Sequence, residues 1–116
     1  MLNIAVFVSG GGTNLQALID AQDRGEIKNG KITFVLASNE NAYALERAKK
    51  AGIDTAVVSR KQYESKADYD KAVLKTLDGR DIDLIVLAGF LSILGEELVS
   101  KYNNRIINVH PSLIPL

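Results

Sequence analysis

The sequence has no cysteine, so disulfides, thiolate metal sites and any covalent thioester route are excluded. The lack of thiols also fits a reducing compartment. A single histidine, His110, rules out a multi-histidine metal site within the chain. Tryptophan is missing and aromatics are only 6% of the residues, although 47% are hydrophobic. A core rich in Val, Ile, Leu and Ala suits parallel strands covered by helices. Neither charge is in excess, with 14 Lys plus Arg against 14 Asp plus Glu. Proteins that hold nucleic acid or a membrane surface by charge usually carry a basic surplus, so neither partner is expected. No apolar run approaches the roughly 18 residues that span a bilayer. The opening run Met1 to Val8 is too short and too uncharged for a signal peptide and reads as a strand. The expectation is a soluble, cytoplasmic protein. Its 116 residues suffice for one domain with a real core. Repeats, low-complexity tracts and linkers are all lacking.

What is present is an alternation of two patterns. Short, nearly continuous apolar runs occupy Leu2 to Val8, Ile32 to Ala37, Thr55 to Val58, Leu84 to Ala88 and Ile106 to Val109. Such runs predict strands buried on both faces. Between them the apolar spacing is helical. Leu15, Leu18 and Ile19 share one face, with Asp20, Asp23 and Arg24 opposite. Ala44, Leu45, Ala48 and Ala51 alternate with Glu46, Arg47, Lys49 and Lys50, and Gly52 stands where a C-terminal cap belongs. A third helix is predicted over about Lys66 to Leu77, with Tyr69, Val73, Leu74 and Leu77 on one side. A short fourth covers about Gly95 to Tyr102. The fold class is therefore α/β: a doubly wound, Rossmann-like parallel sheet with helices on both faces, of the 3-2-1-4-5 kind. Ligands in such sheets bind beyond the C-terminal strand ends where the order reverses, here between strands one and four. The residues after Val8, Leu87 and Val109 are the ones in question.

Strand one runs into Ser9-Gly10-Gly11-Gly12-Thr13-Asn14 and then a helix. Glycines permit positive φ and close approach of a ligand to the backbone. Thr13 or Asn14 can cap the helix. Exposed first-turn amides and the helix dipole favour an anion such as phosphate. The loop is not a P-loop, since no Gly-Lys-Ser/Thr follows. It is a poor dinucleotide fingerprint, since Leu15 replaces the third glycine and Glu40 lies beyond Ser38-Asn39. The simpler alternative is a tight turn that binds nothing, but three consecutive glycines exceed what a turn requires.

Ile107-Asn108-Val109-His110-Pro111-Ser112-Leu113-Ile114-Pro115 is the most informative segment. Residues two apart on a strand point the same way, so Asn108 and His110 are expected on one face at a strand end. Pro111 ends the strand, because it cannot donate to the ladder. A carboxamide N–H can donate to a developing oxyanion, and an imidazole can exchange protons near neutrality. That pair suits formyl or acyl transfer through a tetrahedral intermediate. Taken alone, Asn-x-His reads better as a turn cap beside a core histidine; the full Asn-Val-His-Pro-Ser-Leu-Ile-Pro string at a strand end reverses that judgement.

The longer string resembles the Asn-x-His-Pro-Ser-Leu-Leu-Pro signature of the folate-dependent formyltransferases, with Ile114 as a mild departure. Ser9 to Ala17, Leu45-Glu46-Arg47-Ala48 and Leu87-Ala88-Gly89-Phe90 are similar to the branch that formylates glycinamide ribonucleotide. The resemblance implies transfer of a formyl group from the co-substrate 10-formyltetrahydrofolate to the amine of glycinamide ribonucleotide, in purine biosynthesis and without a metal. It implies that Gly12, Thr13 and Asn14 hold the substrate phosphate. It implies that Phe90, Leu91, Ser92, Ile93 and Leu94 line the folate pocket, with Lys66 reaching the ligand. Asn108 would steady the formyl oxygen and contact the folate, and His110 would donate a proton. Many relatives carry Arg where Ser92 and Lys66 stand. Lys keeps the charge but loses the planar fork, and Lys66 also reads as an ordinary solvated lysine at a helix start.

The family's resemblance covers this chain in register but only the N-terminal part of the family's length. The family's Asp partner for the histidine falls later, and nothing here supplies it. Residues 1–116 are thus expected to be the N-terminal phosphate- and substrate-binding part of a formyltransferase domain, truncated after the strand carrying Asn108 and His110. Alone, the chain is expected to bind weakly and turn over little. Its uncovered last strand leaves an edge for pairing, so a homodimer is one expected assembly. The alternatives are a methionyl-tRNA formyltransferase, a formyltetrahydrofolate deformylase, or a non-catalytic phosphosugar- or nucleotide-binding module.

Overall fold

The computed structural model describes residues 1–90 and 94–109. All five apolar runs become strands: β1 (Leu2–Val8), β2 (Gly30–Ala37), β3 (Asp54–Val57), β4 (Leu84–Ala88) and β5 (Ile106–Val109). They form one sheet in the order β3-β2-β1-β4-β5, and every pairing is parallel. The expected strand order is therefore observed, with β1 central. The helices are α1 (Thr13–Asp23), α2 (Ala44–Lys50), α3 (Lys66–Leu77) and α4 (Glu96–Lys101). A 3-10 turn at Arg60–Gln62 interrupts the run from β3 to α3 without an apolar pattern to announce it. Among the described residues, no helix is long and apolar enough to cross a membrane.

The alternation of side chains along β1 explains the two layers. Ile4, Val6 and Val8 join Leu15, Ile19, Ala44, Leu45 and Ala48 in one core, under α1 and α2. Ala5 and Phe7 join Phe34, Tyr69, Val73, Leu77 and Leu98 in the other, under α3 and α4. Phe7, Leu15 and Tyr69 are wholly buried. Each side chain of that size contributes about 1.5–3 kcal/mol on burial, which holds helices on both faces of the sheet.

Three local details depart from the expected pattern. Ala51 is exposed rather than part of the apolar stripe, because the helix has already ended; Gly52, at φ 75°, donates back to Lys49. The β3 strand sits one residue earlier than its apolar run, so Val58 packs beyond the strand end. And β2 begins at Gly30 and carries a bulge: Ile4 pairs with Ile32 but Ala5 with Phe34, which leaves Thr33 as an extra residue. Beside the bulge, the Ile32 amide donates to the Gln22 side chain of α1 at 2.7 Å.

Candidate functional site

The C-terminal ends of β1, β4 and β5 lie side by side, with Phe7 opposite Leu87 and Ala88 opposite Val109. The chain leaves β1 into the glycine loop and β4 into Gly89 and Phe90. This is the reversal of strand order anticipated between strands one and four.

In the glycine loop, the sequence expectation of a Thr13 or Asn14 cap is not met. The N-cap of α1 is Gly12, at φ 81°, and no side chain caps it; Thr13 and Asn14 already lie in the first turn. Gly12 is also the only glycine of the three with positive φ. A Cβ there would stand 2.6 Å from Ala44 Cβ, so this position needs glycine for both conformation and close packing on α2. Gly10 and Gly11 face open space.

Three successive loop carbonyls are held from the β2–α2 side. Asn39 Nδ2 donates to Ser9 O at 2.5 Å, Ala44 N to Gly10 O at 3.2 Å, and Arg47 Nε to Gly11 O at 2.8 Å. Arg47 also donates to Gln16 Oε1 at 3.3 Å, and its guanidinium lies 5.1 Å from the centre of the Tyr43 ring. Beneath the loop, the Ser9 and Ser38 hydroxyls share a buried hydrogen bond of 2.6 Å. Among the described residues, the backbone N–H groups of Gly11, Gly12, Thr13 and Asn14 donate to nothing. The opening of the loop is therefore a row of free donors at a helix N-terminus, suited to an anion. Asn39 and Arg47 were not legible as loop anchors in the sequence. Arg47 stood there as a polar residue of the second helix and as part of the Leu45-Glu46-Arg47-Ala48 string.

On the other face of the sheet, Phe90 is half-buried and packs its ring on Phe7, with centroids 5.4 Å apart and planes tilted by 59°. Lys66 opens α3 directly after its cap, Ser65, whose hydroxyl accepts from Asp68 N at 3.1 Å. Lys66 is exposed and shares a cleft of about 490 Å³ with Leu94, Gly95 and Asp70. Asn108 is exposed on β5 opposite Leu87. By strand alternation it shares the sheet face of Ile106, which packs into the core under α3 and α4. Thus Lys66 and Leu94 meet in one cleft on the α3–α4 face, whereas Gly12, Thr13 and Asn14 lie on the α1–α2 face. The expected positions Leu91, Ser92, Ile93 and His110 lie outside the described residues.

Comparison with known proteins carries the same geometry to a family. Residues 2–116 match the family profile described as Formyl transferase. Phosphoribosylglycinamide formyltransferase of Escherichia coli (strain K12) is 42% identical over 114 residues, 98% of this chain and 53% of the relative. The trifunctional purine biosynthetic protein adenosine-3 of Homo sapiens is 39% identical over 112 residues, 97% of this chain and 11% of its own. The crystal structure of glycinamide ribonucleotide transformylase 1 from Geobacillus kaustophilus is similar with a TM-score of 0.90 and 41% identity, over 99% of this chain and 61% of that one. The chain spans about half the length of the bacterial curated relatives it matches. A family match that runs from residue 2 to residue 116, on a fold shared at this level of identity, makes the chain a member of the formyl transferase family.

Proposed function

We propose that residues 1–116 are the N-terminal, phosphate- and substrate-binding part of a formyltransferase domain. The domain would move the formyl group of 10-formyltetrahydrofolate to the amine of glycinamide ribonucleotide, a step of purine biosynthesis in the cytoplasm. The observation that carries this reading is the glycine loop. Among the described residues its amides from Gly11 to Asn14 are unused, and Gly10 and Gly11 have open space where a side chain would start. Open space above bare backbone is what a phosphate needs to reach those donors. The names of the similar proteins supply the identity of the phosphate ester.

Each remaining residue takes a role in that reaction. The substrate amine attacks the formyl carbon, and negative charge builds on the formyl oxygen. The Asn108 carboxamide donates to that oxygen, the His110 imidazole gives a proton to the folate nitrogen as its bond to the formyl carbon breaks, and the proton shed by the attacking amine restores the imidazole. The cleft between Lys66 and Leu94, at about 490 Å³, has the size of a small-molecule site and would take the folate with Phe90 to Ile93. Lys66 offers a cation to an acidic part of the ligand. Among the described residues β5 is the last strand on its side of the sheet, with Ile107 half exposed, and pairing of a second copy along it would make a homodimer.

The test is intact mass together with a formyl-transfer assay on the same sample. Transfer that disappears in His110→Ala supports the reading. A protein of the relatives' full length that carries this segment and is inactive on this substrate pair overturns it. A 12.6 kDa chain is expected to bind without turnover, and for it phosphosugar binding is the whole activity.

A further inference from the structure

We propose that Arg47 and Asn39 are positioning residues that turn the glycine loop's peptides so that its amides converge on the substrate phosphate. The inference rests on the phosphate reading above and goes beyond it to two side chains that do not touch the ligand.

In a trans peptide the carbonyl of one residue and the N–H of the next point in opposite directions. The Ser9, Gly10 and Gly11 carbonyls all point at donors on the β2–α2 side: Asn39 Nδ2, Ala44 N and Arg47 Nε. The N–H groups of Gly10, Gly11 and Gly12 are therefore turned away from α2, toward the open side of the loop. The first-turn amides of Thr13 and Asn14 continue the same row. Gly10 and Gly11 have no side chain and no neighbour within 4 Å of where one would start, so side-chain packing does not fix the orientation of these peptides. A flipped peptide would present a carbonyl to the anion instead of a donor. These two side chains, with the Ala44 amide between them, thus favour the orientation in which the loop offers donors to phosphate.

Both side chains are themselves held. Arg47 is braced by Gln16 and by the Tyr43 ring, which keep Nε on the Gly11 carbonyl. The Asn39 carboxamide oxygen accepts from Asn41 N at 3.0 Å, which aims its nitrogen at Ser9. The donor set, and not charge alone, is what the geometry requires. Lysine at 47 would keep the charge but lose the planar donor fork.

The experiment titrates the unaltered chain and the variants Arg47→Met, Arg47→Lys and Asn39→Ala with glycinamide ribonucleotide by calorimetry. Amide spectra of the ligand-free proteins are compared alongside. All three variants are expected to lose about tenfold or more in affinity, which corresponds to about 1.4 kcal/mol. Their melting temperatures and strand amide signals should stay close to the unaltered chain, while the Gly10 to Gly12 amide signals move. Variants that bind as tightly as the unaltered chain overturn the inference. So does full affinity in Arg47→Lys with loss in Arg47→Met, which would mean charge and not peptide orientation. If Arg47→Met fails to fold, Arg47→Lys and Asn39→Ala decide the matter on their own. An unaltered chain that binds no glycinamide ribonucleotide overturns the phosphate reading, and this inference with it.

Discussion

Asp70 and Gly95 form a cap that joins two helices. Asp70 is wholly buried in α3, and its carboxylate accepts from Gly95 N at 2.7 Å and from Leu98 N at 3.1 Å. These are the N-cap and third-residue amides of α4, which has no capping side chain of its own. A Cβ at Gly95 would stand 2.5 Å from the carboxylate, so glycine is needed there for space. Asp70→Ala leaves both amides without an acceptor in a buried setting. The expected loss is about 2–3 kcal/mol of unfolding free energy, read from urea denaturation. Gly95→Ala should also destabilise, because the new methyl displaces the same carboxylate.

Neighbouring glycines of the loop should behave differently. Gly12→Ala forces a side chain into positive φ and against Ala44, at an expected cost of about 2 kcal/mol or more. Gly11→Ala meets nothing within 4 Å, so its melting temperature should barely change. Its effect should appear as weaker binding of glycinamide ribonucleotide, because the methyl stands where the ligand approaches. Thermal unfolding and calorimetry on the two variants separate these outcomes.

Thr33, the extra residue of the β2 bulge, has a buried hydroxyl with no hydrogen-bond partner among the described residues. Thr33→Val replaces that oxygen by a methyl of similar shape. The expected result is a gain of about 1 kcal/mol in denaturant unfolding, since an unsatisfied buried hydroxyl is removed. A loss of stability would mean that the hydroxyl is in fact satisfied.

The Tyr102 phenol is pushed above the usual tyrosine range, first by burial, with Asp78 adding to the rise and Arg105 opposing it. The folded state thus holds this proton more tightly than the unfolded chain does. That contribution is complete below the unfolded value of about 10 and is lost as pH climbs through the higher folded value. Denaturant midpoints should fall as pH rises above about 10, and Tyr102→Phe should flatten that part of the fall.

The sheet was legible because buried parallel strands are unbroken apolar runs, and Leu2 to Val8 and Leu84 to Ala88 are such runs. Strand order followed from their alternation with amphipathic helices such as Lys66–Leu77. The glycine loop was legible as a candidate anion site because it directly follows a strand and opens a helix. Its internal geometry was not. Which carbonyls turn inward depends on Asn39 and Arg47, and Arg47 stands 36 residues from Gly11 in sequence. The Asp70 cap was hidden for the same reason, since its partners lie 25 and 28 residues away. Asp70 lies within the helix predicted over Lys66 to Leu77, and no local pattern marks a carboxylate that serves another helix. The Thr33 bulge was hidden because one extra residue in an apolar run leaves the run unbroken.

The most direct measurement is an amide NMR titration of the isotope-labelled chain with glycinamide ribonucleotide. Saturable shifts are expected at Gly11, Gly12, Thr13 and Asn14, with the β2, β3 and α3 signals unmoved. The unphosphorylated glycinamide riboside should produce much smaller shifts at the same amides. Shifts confined to other parts of the chain, or equal responses to the two compounds, would contradict a phosphate site in this loop.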